Sequence, residues 1–272
     1  MEIEAFELNV RGACLHYDVC GSGPLLLLIP GAGGDGGVYR YVAERLASSF
    51  TVVTYDRRGN SRSSLEQPAD ELTIEDQGND AQALIDVLER GPAYVIGSGA
   101  GAIIALDLLA RHPDSVRQMV VHDPGVLDIL PDADTYRALA NELTLSFESE
   151  GPQVALGKLL SAVRTSAVSC GNGSPPDDCL LRSLAANPEM TFVHETKIFS
   201  RSQTDIRALA SVSERLLIAV GSAHPESHPY RSGTLLAERT GARIVEIPGD
   251  HWSFLTDPEN FADHLRFLLL KS

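Results

Sequence analysis

The sequence predicts an α/β fold in which a mostly parallel central sheet is covered by helices on both faces. Short, almost unbroken apolar segments such as residues 25–29 are typical of strands buried on both sides. Helical segments alternate with these strands through most of the 272 residues, as parallel strands require. Between residues 126 and 209 helical patterns follow one another without strands. We therefore expect an inserted helical lid.

The first part of the chain supplies most of the predicted sheet. Its first two predicted strands are joined at Arg11-Gly12, which indicates a hairpin. The predicted strands are residues 3–10, 13–19, 25–29, 51–55, 93–96 and 118–122. The helices between them are residues 38–47, 74–88 and 102–110. The last of these helices is expected to stop before His112-Pro113, because proline disfavours helix at the preceding residue.

The second part of the chain predicts the lid and the end of the sheet. The predicted lid helices are residues 134–147, 154–168, 176–186 and 191–199, with a surface loop at 169–178. The sheet then resumes with strands 215–220 and 243–247 and helices 233–240 and 258–270. This organisation predicts a core formed by residues 1–125 and 210–272, and a lid formed by residues 126–209.

Charge and composition exclude several classes of partner. A net charge of -15 repels phosphate backbones and anionic lipids, so we expect neither nucleic acid nor membrane as a partner. The N-terminus lacks the basic and apolar regions of a signal peptide, and no apolar run is long enough to cross a bilayer. We therefore expect a cytoplasmic protein. The cysteines show no CxxC spacing, which favours reduced thiols over a bridge between residues 170 and 179.

Residues 97–101, Gly-Ser-Gly-Ala-Gly, lie between a predicted strand and a predicted helix. In that context Gly-x-Ser-x-Gly is a nucleophile elbow, whose central serine sits on a strained turn. The glycines at 97 and 101 bracket position 99, so Gly99 stands where the nucleophilic serine is expected and Ser98 is the variable residue before it. A phosphate-binding turn is disfavoured because Ala102 breaks the G-x-G-x-x-G pattern and no Lys-Ser/Thr pair follows.

The residues that would work with a nucleophile lie after other strands. His251 follows the last predicted strand, on a loop from which a histidine can reach the elbow as general base. Asp123, directly after strand 118–122, is the preferred acid to orient it. Glu226 is the alternative, because the usual position of the acid, after strand 215–220, offers His224 and no aspartate.

Further residues are expected to complete the site. The backbone N–H groups of Ala32 and Ala100 are the predicted oxyanion hole. The predicted substrate-binding residues are Gly31, Ser98, His224 and Trp252. We expect neither a metal nor a cofactor, because the sequence contains no metal-ligand cluster, phosphate loop or flavin motif.

With these motifs in hand, the chain resembles the α/β-hydrolases over nearly its full length. It is similar in particular to a subgroup that includes the fungal zearalenone lactonases, whose elbow and His-Glu-Pro-like segment match residues 97–101 and 122–124. The loop 221–227 also resembles a loop of that subgroup, which lacks the usual aspartate. The resemblance implies Ser/His/acid hydrolysis of an ester or lactone, with Asp123 replacing a longer glutamate and Gly99 replacing the serine.

Three functions remain open at this stage. The first is an ester or lactone hydrolase acting on a small apolar molecule, of which this chain is an inactive variant because Gly99 replaces the nucleophile. The second is a natural non-hydrolytic enzyme, in which His251 and Asp123 serve as general base for a cyclisation, elimination, decarboxylation or cofactor-free oxygenation. The third is a non-catalytic ligand-binding protein. The sequence also leaves open whether the protein forms a homodimer.

Overall fold

The computed structural model describes residues 2–31, 33–66, 68–167 and 186–271, and its strands form one sheet. The strands are β1 (Ile3–Val10), β2 (Ala13–Gly21), β3 (Leu25–Ile29), β4 (Thr51–Tyr55), β5 (Ser64–Leu65), β6 (Ala93–Ser98), β7 (Val116–His122), β8 (Leu216–Gly221) and β9 (Arg243–Ile247). They are ordered β1-β2-β4-β3-β6-β7-β8-β9, and β5 pairs with β2. β1, β2 and β5 form the antiparallel end, whereas all pairings from β4 to β9 are parallel.

Helices connect the parallel strands and cover the sheet. Within the described residues the α-helices are α1 (Arg40–Leu46), α2 (Ile74–Val87), α3 (Ala100–Arg111), α4 (Ala133–Glu150), α5 (Pro152–Ala167), α6 (Thr196–Arg201), α7 (Ile206–Ala210), α8 (His228–Thr240), α9 (Ser253–Thr256) and α10 (Pro258–Leu270). A π-helical turn, Met190–Glu195, leads into α6. The predicted α/β fold with a mostly parallel, helix-covered sheet is confirmed.

The core consists of one apolar layer on each face of the sheet. Successive side chains of a strand point to opposite faces. In β3, Leu25, Leu27 and Ile29 pack in the layer that contains α2, α3 and α8, whereas Leu26 and Leu28 pack in the layer that contains α1 and α10. All five residues of β3 are buried, which explains why this strand is apolar without interruption.

Some element boundaries differ from the predicted ones for local reasons. β6 extends to Ser98, beyond the predicted end at residue 96, because Gly97 pairs with Val121 through backbone hydrogen bonds that need no side chain. α8 begins at His228, five residues before the predicted start at residue 233, because Ser227 caps the helix and Pro229 is tolerated in its first turn.

The residues between β7 and β8 form the region for which the sequence predicts a lid, and we refer to them as the insertion. Its described part contains helices and no strand. Leu143, Ala155 and Phe192 form a small apolar cluster that joins α4, α5 and the π-helical turn. The predicted loop 169–178, most of the predicted helix 176–186, Cys170 and Cys179 lie outside the described residues. Among the described helices, none combines the length and apolar character needed to span a membrane.

Helix α2 begins with a reciprocal cap. The Thr73 hydroxyl accepts a hydrogen bond from the Asp76 N–H at 3.1 Å, and the Asp76 carboxylate accepts one from the Thr73 N–H at 3.3 Å. We expect Thr73→Ala to lower the free energy of unfolding by about 1 kcal/mol in urea titrations. Ser149→Ala is the control, because the Ser149 hydroxyl only donates within its own helix. Equal destabilisation by the two substitutions would contradict a capping role.

Candidate active site

Gly99 occupies a tight turn between β6 and α3, with φ +57° and ψ −116°. L-residues rarely adopt such a backbone conformation, and glycine does so without steric cost. The turn is also tightly packed: a Cβ at Gly97 would collide with the carbonyl group of Gly101, and a Cβ at Gly101 would collide with the carbonyl oxygen of Ile29. Glycines at 97 and 101 are therefore required by packing, and position 99 has the strained geometry of an elbow.

His251, on the loop between β9 and α9, lies directly beside the elbow. The point that a Cβ at residue 99 would occupy is 3.0 Å from Cε1 and 3.1 Å from Nε2 of the His251 ring. The His251 side chain is 21% exposed, so the ring remains accessible. The structure thus brings together the two positions that the sequence assigns to nucleophile and base.

Asp123 lies at the other end of the His251 ring, immediately after β7 and with φ +42°. Its Oδ1 accepts a hydrogen bond from the Gly221 N–H at 2.9 Å, and its Oδ2 lies 3.6 Å from His251 Nδ1. The latter distance exceeds that of a hydrogen bond, so the attraction between the two groups is electrostatic. Asp123 can hold a protonated His251 in place.

The electrostatic environment keeps Asp123 ionised. Burial disfavours its charged form, but the neighbouring His122, His251 and the Gly221 N–H together outweigh burial and lower the pKa of Asp123 to about 2. The alternative acid, Glu226, has a side chain that is 79% exposed and lies 3.7 Å from His224. Glu226 is not among the described residues that line the cavity beside Gly99. The structure therefore brings Asp123, and not Glu226, to His251.

Ser98, one of the predicted substrate-binding residues, is not among the described residues that line the cavity beside Gly99. Its side chain is buried, and its Oγ lies 2.9 Å from Nδ1 of His122, the last residue of β7. Because this contact holds the Ser98 hydroxyl in the protein interior, the side chain does not reach the cavity. His122 Nε2 in turn lies 3.6 Å from Asp123 Oδ2. Sequence reasoning missed His122, which looks like an ordinary buried strand residue.

His122 makes the stability of the protein sensitive to acid. Burial lowers the pKa of His122 to about 4, although the attraction of Asp123 partly opposes this shift. Because the unfolded histidine binds protons more tightly, with a pKa of about 6.5, stability is lost as the pH falls from about 6.5 towards 4. We expect His122 to account for a loss of about 2 kcal/mol in the free energy of unfolding between pH 7 and pH 5.

Urea titrations at pH 7, 6 and 5 measure this effect. His122→Gln is expected to show a shallower pH dependence, whereas the control His264→Gln, on the surface helix α10, is expected to keep the original one. Asp123 adds nothing in this window, because its folded and unfolded pKa values both lie below it. His228, at the start of α8, adds a similar loss of stability, because burial lowers its pKa to about 4 as well, so His122→Gln is expected to keep that part of the pH dependence. An unchanged slope in His122→Gln would show that another group causes the acid sensitivity.

A cavity of about 260 Å³ lies over the elbow. One wall carries Gly99, Ala100, Asp123 and His251, and most of the remaining wall is apolar. His224 and Trp252, which the sequence predicts as substrate-binding residues, line the cavity. Insertion residues complete it: Tyr136, Leu139, Leu143, Leu159 and Phe199. Sequence reasoning missed Tyr136, and also His228 at the start of α8, because only the folded chain brings them to the cavity.

The predicted oxyanion hole is described only in part. Ala100 lines the cavity at the start of α3, where backbone N–H groups have no partner within the helix. Ala32 lies outside the described residues. Gly31 does not line the cavity; it packs against the elbow, where a Cβ would lie 2.7 Å from the Ser98 carbonyl oxygen.

A buried ion pair connects the Gly31 loop to the insertion. Both terminal nitrogens of Arg57 contact the Glu195 carboxylate, at 2.6 and 2.7 Å. Arg57 Nη2 also donates to the Gly31 carbonyl oxygen at 2.9 Å, and Asn60 donates to Glu195 at 2.9 Å. Arg57 and Glu195 are both buried. The sequence did not identify this pair, because its partners are far apart along the chain.

Comparison with known proteins places these features in a family. A family model described as alpha/beta hydrolase fold matches residues 24–163. The chain is 36% identical to the uncharacterized hydrolase YraK of Bacillus subtilis, with 100% of this chain and 98% of the relative covered. Among solved structures, a thermophilic esterase from Thermogutta terrifontis has a TM-score of 0.79 at 19% identity, with 98% of each chain covered.

A second solved structure, the enol-lactonase from Burkholderia xenovorans, has a TM-score of 0.75 at 20% identity, with 97% of this chain and 99% of that chain covered. Both structural similarities concern the fold. The family model covers half of the chain, and the similarity to YraK extends over all of it. This chain therefore belongs to the α/β-hydrolase fold family.

Proposed function

We propose that the protein is an α/β-hydrolase whose site is built for an ester or lactone of a small apolar molecule, with Gly99 in the place of the nucleophilic serine. The observation that carries this proposal is the position of His251 Nε2, 3.1 Å from the point where a side chain at residue 99 would begin. Asp123 stands behind the same ring. The apolar cavity wall supports an apolar substrate.

With serine at position 99, each group has a chemical role. His251 takes the serine proton while Oγ attacks the carbonyl carbon, and the ionised Asp123 stabilises the resulting imidazolium. The N–H groups of Ala100 and Ala32 receive the negative charge on the carbonyl oxygen. His251 returns the proton to the departing alkoxide, and water then cleaves the acyl-enzyme by the same steps. With Gly99 this acyl-enzyme cannot form, so we expect this chain to be inactive in that reaction.

The proposal extends to the lactonase-like subgroup. The segment His122-Asp123-Pro124 supports it, because Asp123 is positioned directly after β7 and contacts His251 from there. The test is hydrolysis of a panel of p-nitrophenyl esters and aliphatic lactones by Gly99→Ser. Turnover by this variant that the Gly99 protein lacks would support the proposal, and no turnover across the panel would contradict it.

One observation favours a second candidate function. A Cβ at residue 99 would lie 3.0 Å from the His251 ring, closer than side chains normally approach, so the ring is placed to suit glycine. A natural non-hydrolytic enzyme would use this arrangement, with His251 as general base for a substrate proton and Asp123 as its partner. His251→Ala would then abolish conversion of the native substrate; conversion at an unchanged rate would exclude this role.

A further inference from the structure

His228 lines the cavity, but the proposed mechanism, with its nucleophile position and its acid–base pair, does not use it. It is the first residue of α8 and lines the cavity, with its ring 4.6 Å from the ring of Tyr136 on α4. It lies close enough to His251 and Asp123 for their charges to act on it. His228 therefore lies on the wall of the same cavity as His251 and Asp123.

His228 is uncharged near neutral pH. Burial is the main cause that lowers the pKa of His228 to about 4, and the neighbouring His251 adds to this shift. A neutral imidazole offers one hydrogen-bond donor and one acceptor. It can form a hydrogen bond with a hydroxyl or carbonyl oxygen, whereas it offers a carboxylate a hydrogen bond but no compensating positive charge.

The surrounding charges also disfavour an anionic substrate. Arg231, one turn further along α8, is held by both carboxylate oxygens of Asp132, at 2.8 and 2.9 Å. Its charge is thus already paired. Asp123 and Asp250 both line the cavity, whereas none of the described lining residues is a lysine or arginine. A carboxylate in this space would meet like charges without a compensating cation.

We infer that His228, with Tyr136 against it, forms a subsite for a second, uncharged oxygen group of the substrate, so that the substrate class is a neutral hydroxy- or oxo-substituted ester or lactone. This inference rests on the proposed function for the identity of the reacting bond. It adds a residue that determines specificity, and it predicts that esters carrying a free carboxylate are rejected.

The fluorescence of Trp252 allows ligand binding at this subsite to be measured without turnover. This residue is the single tryptophan of the chain and lines the same cavity, so its fluorescence reports the binding of a ligand.

Three methyl esters that differ only in the substituent at C3 serve as ligands. Methyl 3-phenylpropanoate is the parent, methyl 3-hydroxy-3-phenylpropanoate adds a hydroxyl group, and monomethyl 3-phenylglutarate adds a carboxymethyl group. We expect the Gly99 protein to bind the hydroxy ester roughly fivefold more tightly than the parent ester, as one net hydrogen bond provides. The carboxylate ester is expected to bind at least about tenfold more weakly than the parent.

His228→Phe is expected to abolish the preference for the hydroxy ester, and His228→Gln, which keeps a donor and an acceptor, to retain part of it. His264→Phe is the matched control, since His264 does not line the cavity, and should keep the full preference. A hydroxyl preference that survives in His228→Phe, or equal binding of the carboxylate ester, would overturn the inference. Because binding is measured without hydrolysis, inactivity of Gly99→Ser would count against the proposed function alone.

Discussion

Gly99→Ser is expected to raise the rate of ester hydrolysis by about a thousandfold or more, because loss of a nucleophile costs several orders of magnitude in turnover. A Cβ at this position would lie 3.0–3.1 Å from the His251 ring, so the ring must move by a few tenths of an ångström. The serine Oγ would then be within hydrogen-bonding distance of Nε2. The measurement is kcat/KM for p-nitrophenyl butyrate, compared with the Gly99 protein.

Gly99→Ala is the matched control. It introduces the same Cβ and the same backbone strain at φ +57°, but no hydroxyl group. Both variants are expected to be destabilised by about 1–3 kcal/mol, the usual cost of such a conformation, while only the serine variant gains activity. A fluorophosphonate should add mass to Gly99→Ser and leave Gly99→Ala unmodified. Equal hydrolysis rates in the two variants would show that residue 99 is not the nucleophile position.

Glu195→Ala is expected to lower the free energy of unfolding by about 3–5 kcal/mol, since it leaves the charge of Arg57 buried without a counter-charge. The carboxylate of Glu195 receives both terminal nitrogens of Arg57 and the side chain of Asn60. All three residues are buried, so these contacts are shielded from water in the folded protein. Urea denaturation at pH 7 measures the change.

Two further variants test whether the destabilisation comes from the buried charge of Arg57 or from the substitution in general. Glu44→Ala breaks the exposed Arg40–Glu44 pair and is expected to change stability by less than about 0.5 kcal/mol. The double variant Arg57→Met, Glu195→Leu removes both charges and is expected to be more stable than Glu195→Ala. If the double variant were less stable by the sum of both single effects, the unpaired charge would not be the cause.

The sheet and the elbow were predictable because local patterns determine them. An apolar run such as residues 25–29 identifies a strand without knowledge of its neighbours, and Gly97 is required by its contact with the nearby Gly101. The predicted end of β6 is two residues too early. Glycine usually ends a strand, but here Gly97 continues the pairing of β6 with β7.

The remaining parts of the site depend on tertiary packing. Asp123 and Glu226 both follow strands, and only the folded chain shows that one of them is buried beside His251 and the other exposed. Tyr136 lies on an insertion helix, whose orientation over the cavity is not encoded in its own periodicity. Glu195 is paired with a residue 138 positions away, which no local pattern reveals.

The Arg57–Glu195 pair links the insertion mechanically to the loop beside the elbow. Arg57 holds the Gly31 carbonyl beside the elbow with the same nitrogen that contacts Glu195 in the insertion. An outward movement of the π-helical turn would therefore strip the guanidinium of its counter-charge and release the loop next to the elbow at the same time. The pair thus couples the insertion to the loop that packs against the elbow, so that a change in the position of one would be felt by the other.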